Sequence, residues 1–281
     1  MIAFHDSSFV GETEFQHRPG TDGPCVVMLH GIGSNMASFD RLTAQLPQSW
    51  GVLAWNAPGY GRSMPLEAPA PQPADYAARL ATLFDDLGIR RAVLMGHSLG
   101  TLMAVAFAAA HPERVIGLVL AACAQGHGLA RGVLGDKARA RLDDLARLGP
   151  QAFAEARAPR LLHAPETKPA LVAEATQAMA AINPAGYAQA VHMLAGGDLS
   201  GAAAAVALPS LVVVGAHDHI TPPEQSRAVH RALKATAPGQ RHDYLCVPEA
   251  GHLVHQEAPE AVAAQIRQFV SALAHEEETI R

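Results

Sequence analysis

The pentapeptide Gly96-His97-Ser98-Leu99-Gly100 constrains this chain more than any other segment, because of what stands on either side of it. Ala92 to Met95 before it reads as a short apolar strand. Leu102, Val105, Ala106 and Ala109 after it fall at helical spacing. A serine held in a sharp strand-to-helix turn adopts a strained backbone, and the positions two residues away on either side have no room for side chains. Glycine is therefore favoured at both. Such a turn lifts Ser98 above the end of a sheet and aims the N–H groups of the new helix toward it. The pentapeptide alone arises readily by chance; the strand before it and the helix after it make it a nucleophile elbow.

Comparable apolar runs recur at Cys25 to Leu29, Val52 to Trp55, Val115 to Ala121 and Leu211 to Val214, each stopped by Gly, Pro or polar residues. Runs of this kind fit parallel strands buried on both faces, where alternation is not required. Helical patterns lie between them. Asp75 can cap a segment in which Leu80, Leu83, Phe84 and Leu87 share a face and which Gly88 ends. Near the end, Pro259 opens a helix with a stripe of Val262, Ile266, Phe269, Val270 and Leu273. Alternating strands and helices predict an α/β domain with a mostly parallel sheet and a ligand site at the carboxyl ends of the strands.

The alternation breaks over 125–205, which reads as about four short helices punctuated at Pro150, Pro159, Pro165, Pro184 and Gly196-Gly197. Leu142, Leu145, Ala146 and Leu148 make one stripe there, and Tyr187, Val191 and Leu194 another. The expected organisation is a core formed by 1–124 and 206–281, with 125–205 inserted as a helical cap. Leu161, Leu162, Met179, Met193 and Leu194 are its large apolar side chains, available either to line a pocket or to pack the cap.

A net charge of -5 without any block of Lys or Arg gives no footprint for nucleic acid or anionic lipid, so the expected partner is a small molecule. Cys25, Cys123 and Cys246 are odd in number and widely spaced, which suggests neither a disulfide framework nor a zinc site. Met1 to Glu14 lacks a basic segment followed by an apolar one, and no apolar run reaches membrane-spanning length, so the expected location is the cytoplasm. A homodimer is left open.

A serine hydroxyl needs a base within reach and a group to orient that base. Asp218 lies just past the run ending at Val214, and His252 follows Gly251 after a strand ending near Val247. An Asx turn before Thr221-Pro222-Pro223 would also use Asp218, and a loop histidine is often a plain surface residue. Taken in order, Ser98, Asp218 and His252 each stand at a strand end, which favours a nucleophile, acid and base set. His255 is the rival base. A metal at His217-Asp218-His219 with His252 and His255 has no regular ligand spacing, so no metal is expected. The backbone N–H of Leu99, with that of Ile32 from the turn His30-Gly31-Ile32-Gly33, would stabilise an oxyanion, unless the latter is a plain glycine turn.

With these motifs in place, the sequence resembles the α/β-hydrolase superfamily over nearly its whole length. His30-Gly31-Ile32-Gly33 looks like its oxyanion motif, Pro58 to Ser63 like its loop after the next strand, and Gly96 to Gly100 like its elbow. Gly215 to Asp218 and Gly251-His252 look like its acid and base segments. Within the superfamily it is most similar to bacterial enol-lactone hydrolases and small carboxylesterases. The resemblance implies a cofactor-free carboxylic ester hydrolase acting on an ester or lactone, with His30, Gly31, Gly33, Gly96, His97 and Gly100 supporting Ser98, Asp218, His252, Ile32 and Leu99. Serine at the elbow sets the chain apart from similar dehalogenases and epoxide hydrolases, which place Asp there. Thr101 stands where most members have a further glycine. Carbon-carbon hydrolysis, perhydrolysis and ligand reception without turnover are the alternatives on the same scaffold.

Overall fold

In the computed structural model, which describes residues 7–280 with side chains through residue 274, strands and helices alternate as the apolar runs require. Residues 1–6, part of the segment read as lacking a signal, lie outside the described residues. Strands β1 (Ser8–Val10), β2 (Thr13–Arg18) and β3 (Cys25–Leu29) are followed by α1 (Asp40–Thr43), β4 (Gly51–Trp55) and α2 (Pro73–Asp86). Then come β5 (Ala92–His97), α3 (Leu99–Ala110) and β6 (Val115–Ala121). Four helices intervene: α4 (Asp136–Arg157), α5 (Pro169–Ala180), α6 (Pro184–Gly196) and α7 (Leu199–Ala203). The chain continues through β7 (Ser210–Gly215), α8 (Pro223–Thr236), β8 (His242–Val247), α9 (Val254–Glu257) and α10 (Pro259–Ile280).

The strands form one eight-stranded sheet in the order β1-β2-β4-β3-β5-β6-β7-β8. From β4 to β8 every pairing is parallel, while β1 and β2 add an antiparallel edge. The uninterrupted apolar runs follow from burial of both faces. Val27, Leu29, Leu94 and Leu120 pack toward α2, α3 and α8, while Val26, Met28, Val93 and Val119 pack toward α1 and α10. Helix α3 is buried nearly all round, which explains why its sequence is apolar on every face.

Several local expectations shift. Helix α2 starts at Pro73, and Asp75 sits in its first turn, accepting the Gln72 N–H at 2.7 Å rather than capping as the first residue. The punctuation expected at Pro150 is present: Gly149, at φ 73° and ψ 164°, is non-helical, so α4 is two helical segments that meet at a kink just before Pro150. Helices α4, α5 and α6 cover the carboxyl ends of the strands, whereas α7 packs on α3 and α8. The two crossings into the helical segment pair with each other, Gly128 N–H donating to the Gly197 carbonyl at 2.8 Å and Leu199 N–H to that of Gln125 at 2.8 Å. Strands β1 and β2 carry no apolar run and were not expected. Their polar residues are buried by particular partners, as in the Arg18 guanidinium that donates to the carbonyls of Thr43 at 3.0 Å and Pro47 at 2.8 Å. Among the described residues, no helix is long and apolar enough to cross a membrane.

Candidate active site

Strand β5 runs into the elbow, where Ser98 adopts φ 52° and ψ −115°. A non-glycine residue at positive φ stores strain of about 1–3 kcal/mol, tolerated only where the surroundings hold it. Those surroundings are visible. The Ser98 N–H donates to the Ala121 carbonyl at 2.8 Å, and the Thr101 hydroxyl donates to the Ser98 carbonyl at 2.6 Å. A Cβ on Gly96 would strike the backbone of Gly100 and Thr101, and one on Gly100 would strike the carbonyl of Leu29. Thr101, the departure from glycine, thus ties down the strained turn.

Asp218 and His252 come to Ser98 from the loops after β7 and β8. His252 Nε2 lies 3.0 Å from Ser98 Oγ, and His252 Nδ1 lies 2.9 Å from Asp218 Oδ2. The turn reading of Asp218 holds at the same time, because its Oδ1 accepts the N–H groups of Ile220 at 2.9 Å and Thr221 at 2.8 Å. The Thr221 hydroxyl donates to Oδ2 at 2.7 Å and stands 3.2 Å from His252 Nδ1. Burial pushes the Asp218 carboxyl up, but the charge and hydrogen bond of His252 and the two donors of Thr221 hold it below its usual range. The Leu161 carbonyl, between α4 and α5, accepts both His252 N–H at 2.8 Å and Leu253 N–H at 3.2 Å. Neither the Thr221 hydroxyl beside His252 nor the Leu161 carbonyl as an acceptor was read from sequence, which offered Leu161 only as an apolar cap side chain. A Thr three residues after the acid was a signal for the first; nothing local signals the second.

Thr221→Val keeps the backbone donors to Asp218 and removes the hydroxyl beside the imidazole. The expected result is a fall of about tenfold in kcat, equivalent to about 1.4 kcal/mol, with KM nearly unchanged. Steady-state kinetics on a neutral ester checks this, and an unchanged kcat would remove Thr221 from the argument.

The other histidines are sorted by burial. His255 is buried between Phe39 and His97, with ring centroids at 5.0 and 4.3 Å, and burial and the neighbouring His252 take its pKa down to about 3. The structure sets its ring against Phe39 and His97, and brings His252 to Ser98. His97 donates from Nε2 to the His252 carbonyl at 2.8 Å, bracing that loop. His30 donates from Nδ1 to the Gly31 carbonyl at 2.8 Å and accepts the Ala57 N–H on Nε2 at 3.0 Å, which fixes a neutral ring. Burial lowers its pKa to about 4. In the same turn, Gly33 donates to the Tyr60 hydroxyl at 3.2 Å and Ser34 to the Gly31 carbonyl at 3.2 Å, so their N–H groups are engaged while Ile32 lines the cavity. A Cβ on Gly31 would lie 3.0 Å from that of Ser98, which shows how closely the turn backs onto the serine. Leu99, at the first position of α3, has an N–H with no intrahelical acceptor.

Above Ser98 and His252 opens a cavity of about 1020 Å³. Leu161, Met179, Val191 and Leu194 supply apolar lining, while Leu162 and Met193 pack within the protein. Lys137 and Arg141, one turn apart on α4, join Arg157 and Arg160 at the wall. Arg41 also lines it, but is paired with Glu174 at 2.6 Å. Burial and Glu174 push the carboxyl of Asp40, the other lining acid, up to about 6. The wall is thus net positive although the chain is net negative.

The sequence model described as the Alpha/beta hydrolase family matches residues 26–265. This chain belongs to the Alpha/beta hydrolase family. The sheet order and the elbow at the end of β5 are its fold. Among curated relatives, a pimeloyl-[acyl-carrier protein] methyl ester esterase of Neisseria meningitidis serogroup C is 31% identical over 256 residues, covering 88% of this chain and 94% of the relative. A thermophilic esterase from Thermogutta terrifontis superposes with a TM-score of 0.80 at 27% identity, covering 97% of this chain and 98% of the other. The enol-lactonase from Burkholderia xenovorans LB400 does so with a TM-score of 0.81 at 25% identity, covering 94% and 99%.

Proposed function

We propose that this α/β hydrolase cleaves carboxylic esters through an acyl-enzyme. His252 Nε2 takes the proton of Ser98 as Oγ attacks the carbonyl, and Asp218 holds the imidazole by Nδ1 and stabilises its charged form. The N–H groups of Leu99 and Ile32 receive the oxyanion, each worth about 10²–10³ in rate at a comparable site. His252 then protonates the leaving alcohol and activates water to release the acid. The observation that carries this reading is the hydrogen-bond chain from Ser98 Oγ through His252 to Asp218, opening into the cavity.

The same proposal extends to substrate class. Similarity to a pimeloyl-[acyl-carrier protein] methyl ester esterase, together with the cationic wall of Lys137, Arg141, Arg157 and Arg160, favours an ester whose far end is anionic. The apolar lining between that wall and Ser98 suits an alkyl chain. Initial rates on methyl esters with neutral or anionic tails test this in wild type and Arg141→Ala. The expected result is a KM rise of about tenfold for the anionic ester and little change for the neutral one. Equal effects on both esters would overturn the anionic-end assignment. Turnover of lactones or vinylogous diketones with no turnover of either ester would overturn the ester reading itself.

A further inference from the structure

We propose that His163, His217 and Glu249 bind one divalent transition ion of the zinc class on the outer surface, outside the cavity. The three ligands come from three loops: His163 between α4 and α5, His217 between β7 and α8, and Glu249 between β8 and α9. Their ligating atoms lie within 4.8 Å of one another. The two imidazoles stack at 3.8 Å with planes 11° apart, and His163 Nε2 is 3.5 Å from Glu249 Oε2. Ligands in a tetrahedral zinc shell sit about 3.3 Å apart, so the ligating atoms are near enough, and the two imidazoles would turn out of their stack for both in-plane lone pairs to meet one ion, with water in the fourth position.

The backbones of all three are held. His163 N–H donates to Glu257 Oε2 at 2.9 Å, His217 N–H donates to the Ala250 carbonyl at 3.0 Å, and the Glu249 carbonyl accepts from Lys168 Nζ at 3.4 Å. Glu257 also accepts the Gly251 N–H at 2.8 Å, joining the cap segment and the His252 loop in one block. Two nitrogens and one carboxylate suit zinc, cobalt or nickel, and ill suit magnesium or calcium, which prefer oxygen shells. A bound ion would clamp the segment after α4 to the loops carrying Asp218 and His252. The site was invisible to ligand spacing because no two of its ligands are neighbours in sequence, and it does not rest on the ester reading.

The test is calorimetric titration of chelator-stripped protein with zinc alone, on wild type, His163→Ala, His217→Ala and Glu249→Gln, with His111→Ala, at the C-terminal cap of α3, as control. One zinc per chain is expected for wild type and His111→Ala, with affinity at least tenfold weaker in the three ligand variants. Zinc is expected to raise the Tm of wild type and not of those variants, and magnesium to raise neither. Four-coordinate cobalt absorption in wild type, lost in His163→Ala, supports the same shell. Should His217→Ala unfold because it adjoins Asp218, His163→Ala and Glu249→Gln decide the matter. Zinc affinity unchanged in those two, or no zinc binding by wild type, overturns the proposal.

Discussion

Ser98→Ala is expected to lower ester turnover by about 10⁴–10⁶-fold while the protein stays folded. The reason is geometric. Ser98 Oγ is the atom 3.0 Å from His252 Nε2, and its removal leaves the base with nothing to activate but water. The Leu99 and Ile32 N–H groups would survive the change, so a residue of catalysis above the uncatalysed rate is expected. Alanine keeps the fold because the turn is held by the bonds to the Ala121 carbonyl and from Thr101, neither of which uses the Ser98 hydroxyl. Hydrolysis of p-nitrophenyl esters over a range of acyl lengths, at matched circular dichroism, is the measurement. A mutant retaining more than about one hundredth of wild-type kcat would sink the covalent mechanism.

Acid is the second large lever. His30, His97 and His255 are buried, and all three have pKa values displaced below 6.5, chiefly by burial, His30 to about 4 and His255 to about 3. Each stays neutral in the folded protein at a pH where the unfolded chain already binds a proton. Stability is therefore full above about pH 6.5 and falls as pH drops toward the folded values, by up to about 1.4 kcal/mol per pH unit for each group. Near pH 5 His30 and His255 together withdraw on the order of 4 kcal/mol, and His97 acts in the same direction, against a total stability of about 5–15 kcal/mol for a folded domain. The hydrogen bonds agree with the direction. His30 Nε2 already accepts the Ala57 N–H, so a proton there would face a donor. Cooperative unfolding between about pH 5.5 and 4 is expected by near-ultraviolet circular dichroism, with the midpoint lowered in His255→Phe, which keeps the ring contacts and removes one titrating group. A wild type that remains folded at pH 3.5 contradicts the argument.

Much of the fold was legible because its signals are local. Five apolar runs mark five of the parallel strands, and their lack of alternation follows from burial on both faces. The stripe of Val262, Ile266, Phe269, Val270 and Leu273 is buried on α10 as spacing predicts. What escaped was stabilised by distant partners. Strand β2 carries Glu14, Gln16, His17 and Arg18, and Glu14 is buried against Asn56 and Arg62, some forty residues away in the chain. Asp75 was misplaced by three positions because Gln72 is a weak-looking cap whose N–H finds the aspartate only once the turn forms.

The sequence by itself determined where reactive groups could stand: a serine in a glycine-flanked strand-to-helix turn, and an acid and a histidine just beyond later strand ends. Those positions follow from backbone sterics over a few residues, which composition and order specify completely. Only the tertiary structure decided which histidine reaches Ser98, that the Leu161 carbonyl holds the His252 loop, that cations gather on one cavity wall, and that His163, His217 and Glu249 meet. Each of those rests on distances between loops far apart in the chain, set by how the helices above the sheet pack, and no local pattern encodes them.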